Sequence, residues 1–262
     1  MQNEAYKITG FAAVMAAVGF LLRWLQGMNI YDEETGLANR TAGVNFALIA
    51  LCLFTVLMLV FWVWRLRRYK ASLSYRALDG KSFVAPVLAI LCTVIMVAAG
   101  LLMLLHAGEY SSPGLRRVLG LFTVLSGFGP AVLVIDAAKD HKEFLRRLFS
   151  VLLVLHACLF LVTVYKENAS NPVVWSFCME ILALCASVMA FYYLAGYQYE
   201  EPKPWSCLLT VFLGLFFCAV CVIDDHSTAD MLLYAALALY QGLCGFILVE
   251  NLEPKILVGI RQ

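Results

Sequence analysis

"FVAPVLAILCTVIMVAAGLLMLLH", from Phe83 to His106, runs for 24 residues without an Asp, Glu, Lys or Arg. As a helix it spans about 36 Å at 1.5 Å per residue, more than the roughly 30 Å of a bilayer's hydrocarbon core. A segment crossing lipid must satisfy its backbone groups internally, and this run lacks the apolar-polar alternation of a barrel strand. It therefore reads as a transmembrane helix. Working outward, seven more runs share its character: Ile8 to Met28, Gly43 to Trp64, Leu115 to Ile135, Phe144 to Tyr165, Val173 to Tyr197, Trp205 to Ile223 and Ala229 to Val249. The connectors between them are short. The expected fold is an all-α, polytopic integral membrane bundle of eight transmembrane helices, forming one transmembrane domain over residues 1–262.

Composition agrees. The chain is 63% hydrophobic and 14% charged, where a soluble domain averages roughly 45–50% and about 25%. That balance excludes a soluble globular protein. The net charge of +1 suggests no nucleic-acid partner, so the expected surroundings are the lipid bilayer and a small solute, with protein partners undefined. The nine cysteines all fall within apolar runs, where a thiol behaves as a small hydrophobe. The first run lacks a clear cleavage site and is expected to stay as the first helix.

Basic residues set the orientation, because short cytoplasmic loops accumulate Lys and Arg. With the N-terminus inside, fourteen of the nineteen fall in inner segments and four in outer ones, with Arg23 inside a helix. The N-in, C-in arrangement follows. The richest inner cluster, "WRLRRYK" from Trp64 to Lys70, reads as an anchor to anionic headgroups.

Function is sought among polar groups inside the helices, since an isolated charge near the bilayer centre costs about 2.5–3.5 kcal/mol on insertion scales. Arg23, His156 and Glu180 all fall in the outer half of the membrane. Arg23 and Glu180 are expected to form an ion pair, with His156 beside them and Gln26 one turn above Arg23. Their helix faces support an inward position: Arg23 shares a stripe with Ala12, Ala16 and Gly19, and Glu180 with Ser176, Ala183 and Ser187. Gln241 in the eighth helix reads as a further polar core residue. "SGFGP", Ser126 to Pro130, predicts a helix break at Gly129 and Pro130.

No metal and no other cofactor is expected. "CAVC", Cys218 to Cys221, puts two thiols a turn apart near Asp224, Asp225 and His226, but the set is poor for a metal. Asp224, Asp225 and Asp230 read more simply as a solvated loop at the cap of the eighth helix, with Ser227 or Thr228 assisting. No catalytic constellation can be assigned. There is no P-loop, G-x-S-x-G, H-E-x-x-H or paired catalytic carboxylate.

Beyond Arg23 and Gln26, the chain continues "YDEETGL", with Asp32, Glu34, Thr35 and Gly36 forming an outer loop and a turn. The R-x-x-Q pair followed by this aromatic, acidic and T-G-L segment resembles a family of uncharacterised multi-pass membrane proteins from Gram-positive gut bacteria. The resemblance implies a bacterial cytoplasmic membrane and directs attention to this segment; it implies no mechanism. The expected function is binding or transport of a small solute through a polar site in the outer half of the bundle. The alternatives are a membrane-embedded enzyme acting on a lipid or isoprenoid, with His156 or Glu180 as acid or base, and a non-catalytic sensor or assembly partner.

Overall fold

The computed structural model describes residues 2–29, 43–80, 82–137, 143–169, 174–224 and 226–254. The outer-loop residues Asp32, Glu34, Thr35 and Gly36, and also Asp225, lie outside the described residues. The helices are α1 (Gln2–Asn29), α2 (Gly43–Leu66), α3 (Val84–Leu105), α4 (Pro113–Ser126), α5 (Gly129–Ala137), α6 (Glu143–Asn168), α7 (Val174–Gly196), α8 (Pro204–Cys221) and α9 (Thr228–Glu250). Together they supply eight segments long and apolar enough to cross a membrane. The chain is an all-α polytopic bundle.

The fourth segment is split where "SGFGP" predicts. α4 stops at Ser126 and α5 restarts at Gly129, so Pro130 falls in the first turn, where its missing N–H leaves no hydrogen bond unmade. The break is stitched rather than open: the Ala131 N–H donates to Thr93 Oγ1 on α3 at 3.2 Å. Gly129 packs so closely on Leu153 of α6 that a Cβ there would come within 2.9 Å of it.

Adjacency follows from the apolar faces. α4, α6, α7 and α8 pack in succession, α3 lies against both α4 and α5, and α9 is seated between α3 and α8. α1 rests on α8 and α9, and α2 on α1 and α8. α9 is 72% buried across its membrane-spanning window and α2 only 28%. Side chains of α2 such as Phe46, Leu53, Leu57 and Trp64 are exposed and suited to lipid.

The start of α1 and the end of α9 lie at one end of the bundle. The Tyr6 and Phe246 rings lie 5.9 Å apart, and β1 (Tyr69–Lys70) pairs antiparallel with β2 (Glu253–Pro254). Asn251 Nδ2 also donates to the carbonyls of Ala77 and Asp79, both at 3.0 Å, holding the α2–α3 connector in place. This end carries the basic cluster after α2 together with Arg146, Arg147 and Lys203 at the starts of α6 and α8. The opposite end holds the polar site.

Candidate functional site

α1 approaches α8 through its small-residue stripe. A Cβ at Gly19 would sit 2.7 Å from Val220, so glycine is what lets the two helices touch here. One turn further along α1, Arg23 is buried and reaches the end of α8. Its Nε donates to Asp224 Oδ1 at 2.5 Å and its NH1 group to Gln26 Oε1 at 2.8 Å. Gln26 Nε2 in turn donates to Asn45 Oδ1 of α2 at 2.5 Å. A guanidinium beyond the last turn of α8 also complements the negative end of that helix.

The expected Arg23–Glu180 ion pair is therefore corrected: among the described residues, the carboxylate paired with Arg23 is Asp224. α1 packs against α8, not α7, and so meets the turn that follows α8. Asp224 is not solvated either. Its side chain is only 9% exposed. Ser227 does cap α9 as expected, accepting from the Asp230 N–H at 3.2 Å.

A second buried arginine, Arg116 in the first turn of α4, organises the neighbouring cluster. Its Nε donates to Glu167 Oε1 at 2.8 Å, its NH2 group bonds Glu167 Oε2, and its NH1 group donates to Asp230 Oδ1 at 2.6 Å. The Tyr110 ring covers the guanidinium at 4.2 Å. The Tyr110 hydroxyl donates to Ser227 Oγ at 2.6 Å, and Ser227 Oγ to Asp230 Oδ2 at 2.9 Å. One arginine thus clamps the ends of α4, α6 and α9.

Beside the Arg116 cluster lies a cavity of about 260 Å³, lined by Tyr110, Arg116, Glu167, Glu180, His226 and Tyr234 among others. Glu180, near the start of α7, projects into it and makes no hydrogen bond or ion pair with the other described residues. Ligand atoms of Glu180, Asp224 and His226 all lie within 4.8 Å of one another. Three buried atoms here lack partners: Asp224 Oδ2, His226 Nε2 and the Tyr234 hydroxyl. Burial lowers the His226 pKa and outweighs the opposing pull of Asp224 and Asp230, which favours the neutral imidazole.

Of the residues singled out from sequence, Glu180 lines this cavity and Arg23 adjoins it through Asp224, with Gln26 behind. His156 does not lie beside Arg23. It is fully buried between α6 and α4, with Nε2 3.0 Å from Thr123 Oγ1. A run of rings joins it to the cavity, His156 against Phe160 at 6.3 Å, Phe160 against Tyr234 at 5.2 Å and Tyr234 against His226 at 5.1 Å. Gln241 is separate from the cavity. Its Nε2 donates to Ser187 Oγ at 2.9 Å and lies 3.8 Å from Cys218 Sγ, locking α7, α8 and α9 together. Gly129 and Pro130 are not among the cavity-lining residues.

Sequence reasoning missed Arg116, Glu167, Tyr234 and Asn45, and set Asp224, His226 and Asp230 aside as a poor metal set or as loop and cap. The available signal was their clustering within a turn of the outer span ends, a zone read as loop. No family model, no curated protein and no solved structure matches the chain.

Proposed function

We propose that the chain binds, and carries across or into the membrane, a small cationic solute at the cavity lined by Arg116 and Glu180. The observation that carries this reading is the charge ledger of the described site. Arg23 and Arg116 face Glu167, Glu180, Asp224 and Asp230, leaving two formal negative charges. Both arginines are engaged by Asp224, Glu167 and Asp230, so an anion would have to displace existing pairs. A cation meets the Glu180 carboxylate, which is placed to receive it. Buried carboxylates without counter-ions are costly in lipid and persist at sites that need them.

The Lys and Arg bias supports an outward-facing position for this end, in which case the solute would enter from outside. Among the described residues, the lack of a nucleophile-base pair at the cavity and the engagement of both arginines disfavour the lipid-enzyme alternative. Of its two candidate acids or bases, His156 is sealed between α4 and α6 and only Glu180 lines the cavity.

The test uses thiol reagents of opposite charge on the full-length protein. Asn168 lines the cavity and its side chain donates to a carbonyl of its own helix, Val164 O, at 3.0 Å. An Asn168→Cys variant should react at least about tenfold faster with a cationic methanethiosulfonate than with an anionic one, consistent with a field of about 1.4 kcal/mol per tenfold. Added Glu180→Gln should shrink that preference. Equal rates for the two reagents, or no reaction above wild type, would overturn the proposal.

A further inference from the structure

We infer that Glu180, Asp224 and His226 form a binding site for a divalent first-row transition-metal ion; this rests on the cationic-solute reading and specifies the cation. The donors come from two different parts of the fold. Glu180 descends from the start of α7, while Asp224 and His226 sit on the α8–α9 turn that faces it. Their ligand atoms lie within 4.8 Å of one another. An ion held about 2.0–2.2 Å from each donor closes that triangle through small side-chain rotations.

The second observation is the state of the donors. Asp224 is oriented by Arg23 through Oδ1, yet its Oδ2 is buried and has no partner, as is His226 Nε2. Buried polar atoms are nearly always hydrogen-bonded in folded proteins, and each exception calls for an occupant. Here two exceptions sit on residues whose donor atoms converge with the Glu180 carboxylate. Arg23 then acts as the outer partner that fixes a ligating carboxylate, the usual support for a metal ligand. His226 has its ring stacked on Tyr234 at 5.1 Å, which fixes the imidazole plane.

Charge and donor type choose the ion. The formal charge of −2 summed over the described cluster matches a divalent cation. Two carboxylates alone would suit Mg²⁺ or Ca²⁺, but an imidazole nitrogen shifts preference to Mn²⁺, Fe²⁺, Co²⁺ or Zn²⁺. Three protein donors leave coordination positions for water, and the adjoining cavity supplies room and a path. A site of this kind can load and release its ion, unlike a closed four-ligand structural site.

The experiment titrates the purified full-length protein in detergent with Co²⁺ after chelator treatment, reading the visible absorption of bound cobalt, with Zn²⁺ added in competition. Wild type should bind cobalt stoichiometrically, and zinc should displace it. Glu180→Gln and His226→Gln should each weaken binding by more than about tenfold, while elution volume and thermal unfolding show both variants folded. Excess Mg²⁺ should not displace cobalt. No cobalt spectrum in wild type, or equal affinity in both variants, overturns the inference. In that case a retained preference for cationic thiol reagents at Asn168→Cys leaves an organic cation as the solute, whereas loss of that preference removes both proposals.

Discussion

Replacing Arg116 by Met removes the one side chain that holds Glu167 and Asp230 together. All three side chains are largely buried. Removing one member of such a cluster leaves uncompensated buried charge, a loss of about 3–5 kcal/mol. The adjoining cavity admits water, which argues for the lower part of that range, while loss of the Tyr110 stacking contact adds about 0.5–1 kcal/mol. A net loss of about 3–4 kcal/mol corresponds to a fall in Tm of roughly 6–16 °C for a chain of this size. The assay is a thermal ramp in detergent with a thiol-reactive fluorophore. Cys92, Cys207, Cys218, Cys221 and Cys244 are buried and free, and become reactive on unfolding. Adding Glu167→Gln to Arg116→Met should recover a large part of the loss, because the orphaned charge goes with it. A Tm within about 2 °C of wild type for the single variant, or a double variant less stable than the single, would refute the assignment of Arg116 as the clamp.

Four other outcomes follow from the same structure. Glu180→Gln should raise Tm by a few degrees in chelator, about 0.5–2 kcal/mol, since it removes a carboxylate with no partner; the same thermal ramp detects it. Gly214→Ala should destabilise by about 1–3 kcal/mol, because its Cβ would fall 1.5 Å from Gln241 Oε1, whereas Gly10→Ala, with nothing within 4 Å, should not. Gln26→Leu breaks the Arg23–Gln26–Asn45 chain and should cost about 1–2 kcal/mol, read by denaturant or thermal unfolding. Thr93→Val leaves the Ala131 N–H at the α4–α5 break without its acceptor and should cost about 1 kcal/mol, with Thr93→Ser close to neutral.

The spans were legible because a single physical quantity, the cost of polar groups in hydrocarbon, sets both their length and their composition. Their inward faces were legible too: the Ala12, Ala16, Gly19 and Arg23 stripe of α1 is buried, as are Ala183 and Ser187 below Glu180. The break at Gly127 and Phe128, just before Gly129 and Pro130, followed from backbone chemistry. The partners of the charges were not legible. Arg23 and Glu180 lie at similar depth, but depth does not say which helices touch, and α1 meets α8 rather than α7. The α8–α9 turn was misread for a related reason. Asp224 and His226 look like solvated loop when judged by their distance from a span, yet neighbouring helices cover them from the side. His156 shows the converse, a buried polar residue of suitable depth whose partner is a threonine on an adjacent helix.

The central seat of α9 bears on how the protein is made. α9 is flanked by α3 and α8, and seven spans precede it in the order of synthesis. Until it leaves the translocon, the earlier spans must either hold a seam open or close on one another and later part. Asp230, Ser227 and Tyr234 arrive with it, so the Asp230 arm of the Arg116 clamp and one wall of the cavity cannot exist in a nascent chain that has inserted only seven spans. Assembly of the polar site is thus coupled to the insertion of α9, and a chain stalled before it would leave the Arg116–Glu167 pair without Asp230 and Glu180 without its facing wall, a natural signal for membrane quality control.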